Sequence, residues 1–261
     1  METHNKVVFI TGATKNTGYA IARKFAGEGY NVCISSRNIQ SAEDAATALI
    51  KEFPKIKAVG YKMAQADPLE IEEVFEKIQS EFGRLDTFIA NAAHLGVGLS
   101  ILNTTPGQYD EVMDANAKGY FFCSQAAAKI MVRQGGGTIV LISSVHAHGA
   151  VPGRIVYAAS KGAINSMCRG IAIELGKYNI RCNCLIAGAI RSDRWEDLTA
   201  EEAAKKRDRY PVGKESSPQD IANSVYFLAS DQSPTVTGAE FAVDSGISIC
   251  LLPYDKEWNN K

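Results

Sequence analysis

Lys6-Val7-Val8-Phe9-Ile10-Thr11-Gly12-Ala13-Thr14-Lys15-Asn16-Thr17-Gly18-Tyr19-Ala20 opens on an unbroken apolar run and passes straight into a glycine turn. Lys6–Thr11 has the pattern of a strand covered on both faces rather than the alternation of a half-exposed one. Thr17–Glu28 then repeats apolar residues at helical spacing. Gly12 and Gly18 allow a tight turn and let a pyrophosphate approach the amide groups at the positive end of the following helix. The spacing departs from G-x-G-x-x-G. It is closer to T-G-x-x-x-G-x-G, with Asn16 at the middle glycine, and asparagine tolerates a left-handed backbone better than most residues. A glycine turn alone is weak evidence, because many α/β proteins need one sterically.

Working outward, the same order repeats along the chain. Further strands are expected at Tyr30–Ser35, Ala58–Lys62, Thr87–Ala90, Gly137–Ile142, Ile180–Ile186 and Glu240–Val243. Helices are expected at Ser41–Glu52, Leu69–Phe82, Thr105–Arg133, Tyr157–Tyr178 and Pro218–Ser230. Alternating strands and helices imply right-handed crossovers and an α/β fold, a doubly wound parallel sheet with helices on both faces and ligands at the carboxyl ends of the strands. No linker or repeat divides residues 1–261, so a single domain is expected. Ala189–Gly213, rich in charge and poor in pattern, reads as a mobile substrate flap with a short helix. Residues 251–261 read as a C-terminal tail, in which Tyr254 and Trp258 either fray or dock on a neighbouring subunit.

Composition narrows the function classes. A formal net charge of −1 with no basic run argues against nucleic acid or an acidic membrane surface as partner. No segment has the length of a membrane helix, and the first residues lack the layout of a signal peptide, so a cytoplasmic location is expected. The six cysteines are scattered without a Cys-x-x-Cys, and Cys182 and Cys184 would point to one face of a strand. Reduced, buried thiols are expected rather than a metal site.

Tyr157 and Lys161 stand four residues apart at the start of a helical segment, on one face and roughly 6 Å apart at their roots. An ammonium beside a phenol favours the phenolate, and each pKa unit of lowering takes about 1.4 kcal/mol of preference. Alone, such a pair on a helix is usually solvated or packed.

Taken together these residues resemble the short-chain dehydrogenase/reductase family over nearly the whole chain. After the phosphate turn come Ala90-Asn91-Ala92-Ala93, similar to N-N-A-G, then Asp114-Ala115-Asn116 and Ile142-Ser143-Ser144. Tyr157 and Lys161 follow, and Asn183-x-x-x-Ala187-Gly188-x-Ile190-x-Ser192 resembles N-x-x-x-P-G-x-x-x-T. The resemblance implies a Rossmann-like sheet and makes Asn116, Ser144, Tyr157 and Lys161 a catalytic tetrad. Tyr157 would exchange the proton of the substrate oxygen. Lys161 would favour the phenolate and hold a ribose, Ser144 would fix the same oxygen, and Asn116 would hold a water leading to solvent. The implied cofactor residues are Gly12, Thr14, Lys15, Asn16, Thr17, Gly18, Ser36, Arg37, Gln65, Asn91, Ala92, Tyr157, Lys161, Gly188, Ile190 and Ser192. Three positions depart from the pattern. Ala64 replaces an aspartate that reads adenine, which leaves Gln65 as a substitute. Ala187 replaces a proline, and Ser192 replaces a threonine whose hydroxyl meets the carboxamide.

In members that use NAD an acidic residue closes the second strand. Here Ser36 holds that place, followed by Arg37, with Lys15 in the turn. Two cations and no anion suit a 2′-phosphate, so NADP(H) is favoured over NAD(H). The substrate end should gather His94, Ser144, His146, Tyr157 and Trp195, with His148, Arg154 and Arg194 nearby. His146-x-His148 lacks a carboxylate or thiol in register, so no metal is expected. The expected activity is interconversion of a ketone or aldehyde with a secondary alcohol. The substrate is an oxygenated small molecule (a sugar, polyol or keto acid) or a hydroxysteroid or bile acid. The alternative is a catalytically silent NADP(H)-sensing protein on the same fold. A homo-oligomer, dimer or tetramer, is implied, paired through the helices around Ala126-Ala127-Ala128 and Ala158-Ala159.

Overall fold

The computed structural model describes residues 6–192, 195 and 197–250. Arg194 and the tail with Tyr254 and Trp258 lie outside the described residues. The apolar runs form β1 (Val7–Thr11), β2 (Asn31–Ser36), β3 (Ala58–Lys62), β4 (Thr87–Ala90), β5 (Gly137–Ser144), β6 (Ile180–Ala187) and β7 (Glu240–Val243). All pair in parallel in the order β3-β2-β1-β4-β5-β6-β7. The direction of winding reverses between β1 and β4, which opens a crevice beyond their carboxyl ends.

Side chains alternate between the two faces of the sheet, yet both faces are apolar, which is why the strands read as unbroken runs. Val7 and Phe9 join one core with Phe75, Phe88, Tyr120 and Ile164. Val8 and Ile10 join the other with Ile21, Phe25, Leu49 and Val225. The first core lies under α3 (Pro68–Phe82), α5 (Gly119–Gln134) and α6 (Ile155–Leu175). The second lies under α1 (Asn16–Gly27), α2 (Ile39–Glu52) and α8 (Pro218–Ala229).

Helix starts follow local chemistry. Asp67 accepts from the Leu69 N–H with Pro68 at the first turn of α3, and Ser217 and Asp220 form a reciprocal capping box on α8. The segment 189–213 contains α7 (Ala200–Arg207), the short helix expected there, capped by Thr199 and Glu202.

One expectation needs correction. Thr105–Arg133 is not a single α-helix: α4 (Pro106–Met113) and α5 are joined by a π-helical stretch, Asp114–Lys118. Apolar spacing cannot show this, because one inserted residue shifts the face without breaking the pattern. The π-turn faces Asn116 inward, where it is fully buried.

Candidate active site

The chain leaves β1 through Gly12 at φ +64°, where an added Cβ would lie 2.8 Å from the Ala92 Cβ. At Gly18 it would lie 2.4 Å from the Gly12 carbonyl oxygen, so only glycine fits both places. Asn16 adopts φ +49°, the left-handed backbone expected of it. The Thr11 hydroxyl accepts from the N–H groups of Asn91 and Ala92, each at 3.0 Å. Asn91 Nδ2 donates back to the carbonyls of Thr11 and Gly12. The Asn91 amide therefore clamps the turn to the end of β4. Thr14 and Thr17 lie half-buried in the same turn, and Lys15, exposed, precedes α1.

At the end of β2 the Ser36 hydroxyl accepts from the Asn38 N–H at 3.2 Å. Arg37 is exposed and makes no ion pair among the described residues. Gln65 lies after β3. It turns inward, and its Nε2 donates to the carbonyls of Ala92 (3.1 Å) and Ala115 (2.7 Å), tying the loop after β4 to the π-turn. Both amide protons are used there, while its Oε1 is buried without a partner among the described residues. At Ala64 the N–H is taken by the Glu70 carboxylate.

Beyond β6, Gly188 packs on Asp244, where a Cβ would come within 2.6 Å of backbone, and Ile190 bridges to Ser216. The Ser192 hydroxyl is buried without a partner among the described residues. A buried hydroxyl without a partner among the described residues after β6, a glycine-lined turn at a helix N-terminus and an unpaired cation after β2 together fit a nicotinamide dinucleotide.

Lys161 is 2% exposed, and its Nζ donates to the Ile142 carbonyl at 2.7 Å. The same carbonyl accepts from the Tyr120 hydroxyl at 3.1 Å. The Lys161 ammonium lies 5.1 Å from the Tyr120 ring centre and 5.6 Å from that of Tyr157. Burial pushes the lysine down to about 8, opposed by the Cys184 thiol. Ser144, two residues beyond Ile142, ends β5, and its hydroxyl accepts from the His146 N–H. Asn116 donates to the His94 carbonyl and Ser160 Oγ, and its Oδ1 accepts from the His94 N–H at 2.8 Å. The side chain thus holds the loop after β4 against α6, and no amide proton remains to grip a water.

The expected substrate residues divide. The His146 ring meets Tyr157 edge-on at 5.5 Å, and burial, then the Arg154 charge, lowers its pKa. His94 is exposed and accepts from the Gly96 N–H through Nδ1. Trp195 packs beneath the cations Lys206 and Arg207 of α7. His148 does not join the group. Its Nε2 pairs with Glu240 at 2.8 Å, and the same carboxylate takes Asn165 Nδ2 (2.9 Å) and Arg169 Nη1 (2.5 Å). Sequence reasoning missed Glu240 and Asn165. They stand 75 residues apart with no motif, and the fold brings them together across the sheet edge. Cys168, Cys182 and Cys184 are buried, free thiols, with the Cys168 and Cys182 sulfurs 3.9 Å apart.

Residues 12–248 match the family model described as Enoyl-(Acyl carrier protein) reductase, one of the short-chain dehydrogenase/reductase set. The chain belongs to the short-chain dehydrogenase/reductase family. It is an oxidoreductase acting on CH–OH groups. The enzyme is 34% identical over 244 residues to a 3alpha-hydroxysteroid dehydrogenase of Mediterraneibacter gnavus, covering 94% of this chain and 97% of that one. It is 34% identical over 254 residues to the 3-oxoacyl-(acyl-carrier-protein) reductase FabG of Thermotoga maritima, covering 95% and 100%. A crystal structure of a gluconate 5-dehydrogenase from Burkholderia cenocepacia, in complex with NADP and tartrate, superposes with a TM-score of 0.88 at 26% identity. The match covers 95% of this chain and 97% of that one.

Proposed function

We propose that the enzyme interconverts a ketone or aldehyde and a secondary alcohol using NADP(H), with Tyr157 as the proton-transfer group. The observation that carries this reading is the sealed Lys161, held on the Ile142 carbonyl within 5.6 Å of the Tyr157 ring. A buried cation has no structural use there that an apolar residue would not serve better, but it favours the charged form of a neighbouring phenol. Ser144 fixes the substrate oxygen and Tyr157 delivers or removes its proton, contributing about 10²–10⁴-fold together with positioning. The bound nicotinamide supplies or accepts the hydride. Gly12, Thr14, Lys15, Asn16, Thr17 and Gly18 hold its pyrophosphate end, Asn91 and Ala92 border it, and Gly188, Ile190 and Ser192 hold the carboxamide end. The NADP(H) preference rests on Ser36 and the unpaired Arg37 and on the absence of an acid after β2.

The substrate is an oxygenated small molecule (a sugar, polyol or keto acid) or a hydroxysteroid, met by His94, His146 and Trp195. The experiment is a screen of NADPH consumption and NADP+ reduction across steroids, sugars, polyols and 3-keto esters. Turnover of any member supports the reading, whereas tight NADPH binding with no turnover across the panel favours the sensing protein. A cytoplasmic homo-oligomer is part of the same proposal. It is supported by apolar side chains left open on α4, α5 and α6, namely Tyr109, Phe121 and Ile155. Light scattering should read a dimer or tetramer, and a mass near 28.2 kDa would contradict it.

A further inference from the structure

Arg154 is the arginine that lies against Tyr157 among the described residues. Its Nη1 donates to the Leu95 carbonyl at 2.6 Å, and its backbone bridges to Leu99, so it joins the loop after β4 to the start of α6. The guanidinium carbon lies 5.9 Å from the Tyr157 ring centre. His146 approaches the same ring edge-on at 5.5 Å. Arg154 is half-buried, and among the described residues no carboxylate pairs with it. Arg23, Arg84, Arg169 and Arg207 each have one (Glu52, Asp86, Glu240 and Glu215), whereas Arg37 is exposed without one among the described residues and Arg181 spends its donors on the carbonyls of Leu228, Ser230 and Val236.

A guanidinium with donors to spare and no carboxylate on it, beside the reacting group, is suited to take a carboxylate through a charge-assisted, bidentate contact. Strapping the loop explains only part of the residue. A single neutral donor would serve the Leu95 carbonyl, and the positive charge and the remaining fork of donors are left over. They sit beside the residue proposed to handle the substrate oxygen.

We infer that Arg154, with His146 beside it, is the subsite for a carboxylate carried by the substrate, and that the natural substrate is a short oxo acid or its hydroxy acid. This rests on the reaction proposed above and narrows its substrate class. With C–C bonds near ~1.5 Å, a carboxylate within about three carbons of the reacting carbonyl spans from Tyr157 to Arg154. A carboxylate at the far end of a steroid side chain does not. The chemistry is unchanged: hydride goes to the carbonyl carbon, the C=O π pair becomes the alcohol oxygen's bond to the Tyr157 proton, and NADPH leaves as NADP+. His146, its ring 5.5 Å from that of Tyr157, adds a hydrogen bond to the carboxylate.

The test compares 2-, 3- and 4-oxo acids with their methyl esters under NADPH, in the wild type, R154Q and R154K. R154Q keeps a donor for the Leu95 carbonyl and removes the charge. The inference expects the wild type to prefer acid over ester at least tenfold in kcat/KM, and R154Q to bring that preference close to unity through a raised KM for the acid. R154K should recover part of it. Equal use of acid and ester by the wild type overturns the subsite, as does an equal loss for both in R154Q, which would mark Arg154 as a strap only. If no panel member is reduced, calorimetry of the same acids on the enzyme–NADPH complex decides. Acid affinity lost in R154Q leaves the anion subsite standing while the reaction fails, and affinity that is absent or unchanged overturns it.

Discussion

Lys161 shows how one buried charge links stability to chemistry. Its pKa is pushed down from 10.5 to about 8 by burial. Between those values the unfolded chain holds a proton the folded protein does not, so this group's contribution to stability rises with pH. Below about 8 the full cost of the buried ammonium is present. Lys161→Met should therefore stabilise the unliganded protein at neutral pH, by up to about 3 kcal/mol, and flatten the rise toward pH ~10. The Ile142 carbonyl keeps its Tyr120 partner in that variant. Urea denaturation at the two pH values checks this, and a variant less stable at neutral pH would contradict it. Arg37 carries the cofactor preference on an exposed side chain. Arg37→Glu should raise the Michaelis constant for NADPH at least tenfold while leaving that for NADH within about threefold, since a bidentate phosphate contact becomes repulsion. Equal effects on both cofactors would remove the NADP(H) argument.

At the scale of elements, the site depends on connections that no motif displays. The π-turn at Asp114–Lys118 swings Asn116 onto the His94 backbone, and Gln65 reaches under the same loop. Both side chains were visible as candidates, but the carbonyls that their amides tie together were not. Which way an amide turns depends on carbonyls 27 and 50 residues away. Glu240 is a similar case at the sheet edge. It gathers His148, Asn165 and Arg169, and Asn165 in turn accepts from Ser143 at 2.6 Å, next to Ser144. Glu240→Ala leaves Asn165 short of an acceptor and releases the turn that carries His146. It should cost about 1–3 kcal/mol, the value discounted because Arg169 and His148 are more than half exposed. Thermal or urea unfolding checks it, and an unchanged midpoint would mean that the three partners find water as good.

For the whole molecule, the parallel sheet and its flanking helices were legible because strands covered on both faces leave unbroken apolar runs. Strand boundaries such as Asn31–Ser36 moved by one residue from expectation, and the crevice opened where the order reverses. The Tyr157–Lys161 spacing was legible because a helix turns local sequence into a shared face. The partner of Lys161 was not, since it is a main-chain carbonyl of β5, 19 residues away, whose identity leaves no mark on sequence. Arg154 was visible only as one cation among several. Its isolation from carboxylates is a property of the folded surface.

The measurement that tests the account most directly is Tyr157→Phe, assayed for NADPH affinity by calorimetry and for turnover on any ketone the wild type reduces. The account predicts NADPH binding within about threefold of wild type and turnover lower by about 10²–10⁴-fold, since only the proton-transfer group is gone. Turnover within a few-fold of wild type, with binding intact, would show that the proton comes from elsewhere and would contradict the central claim.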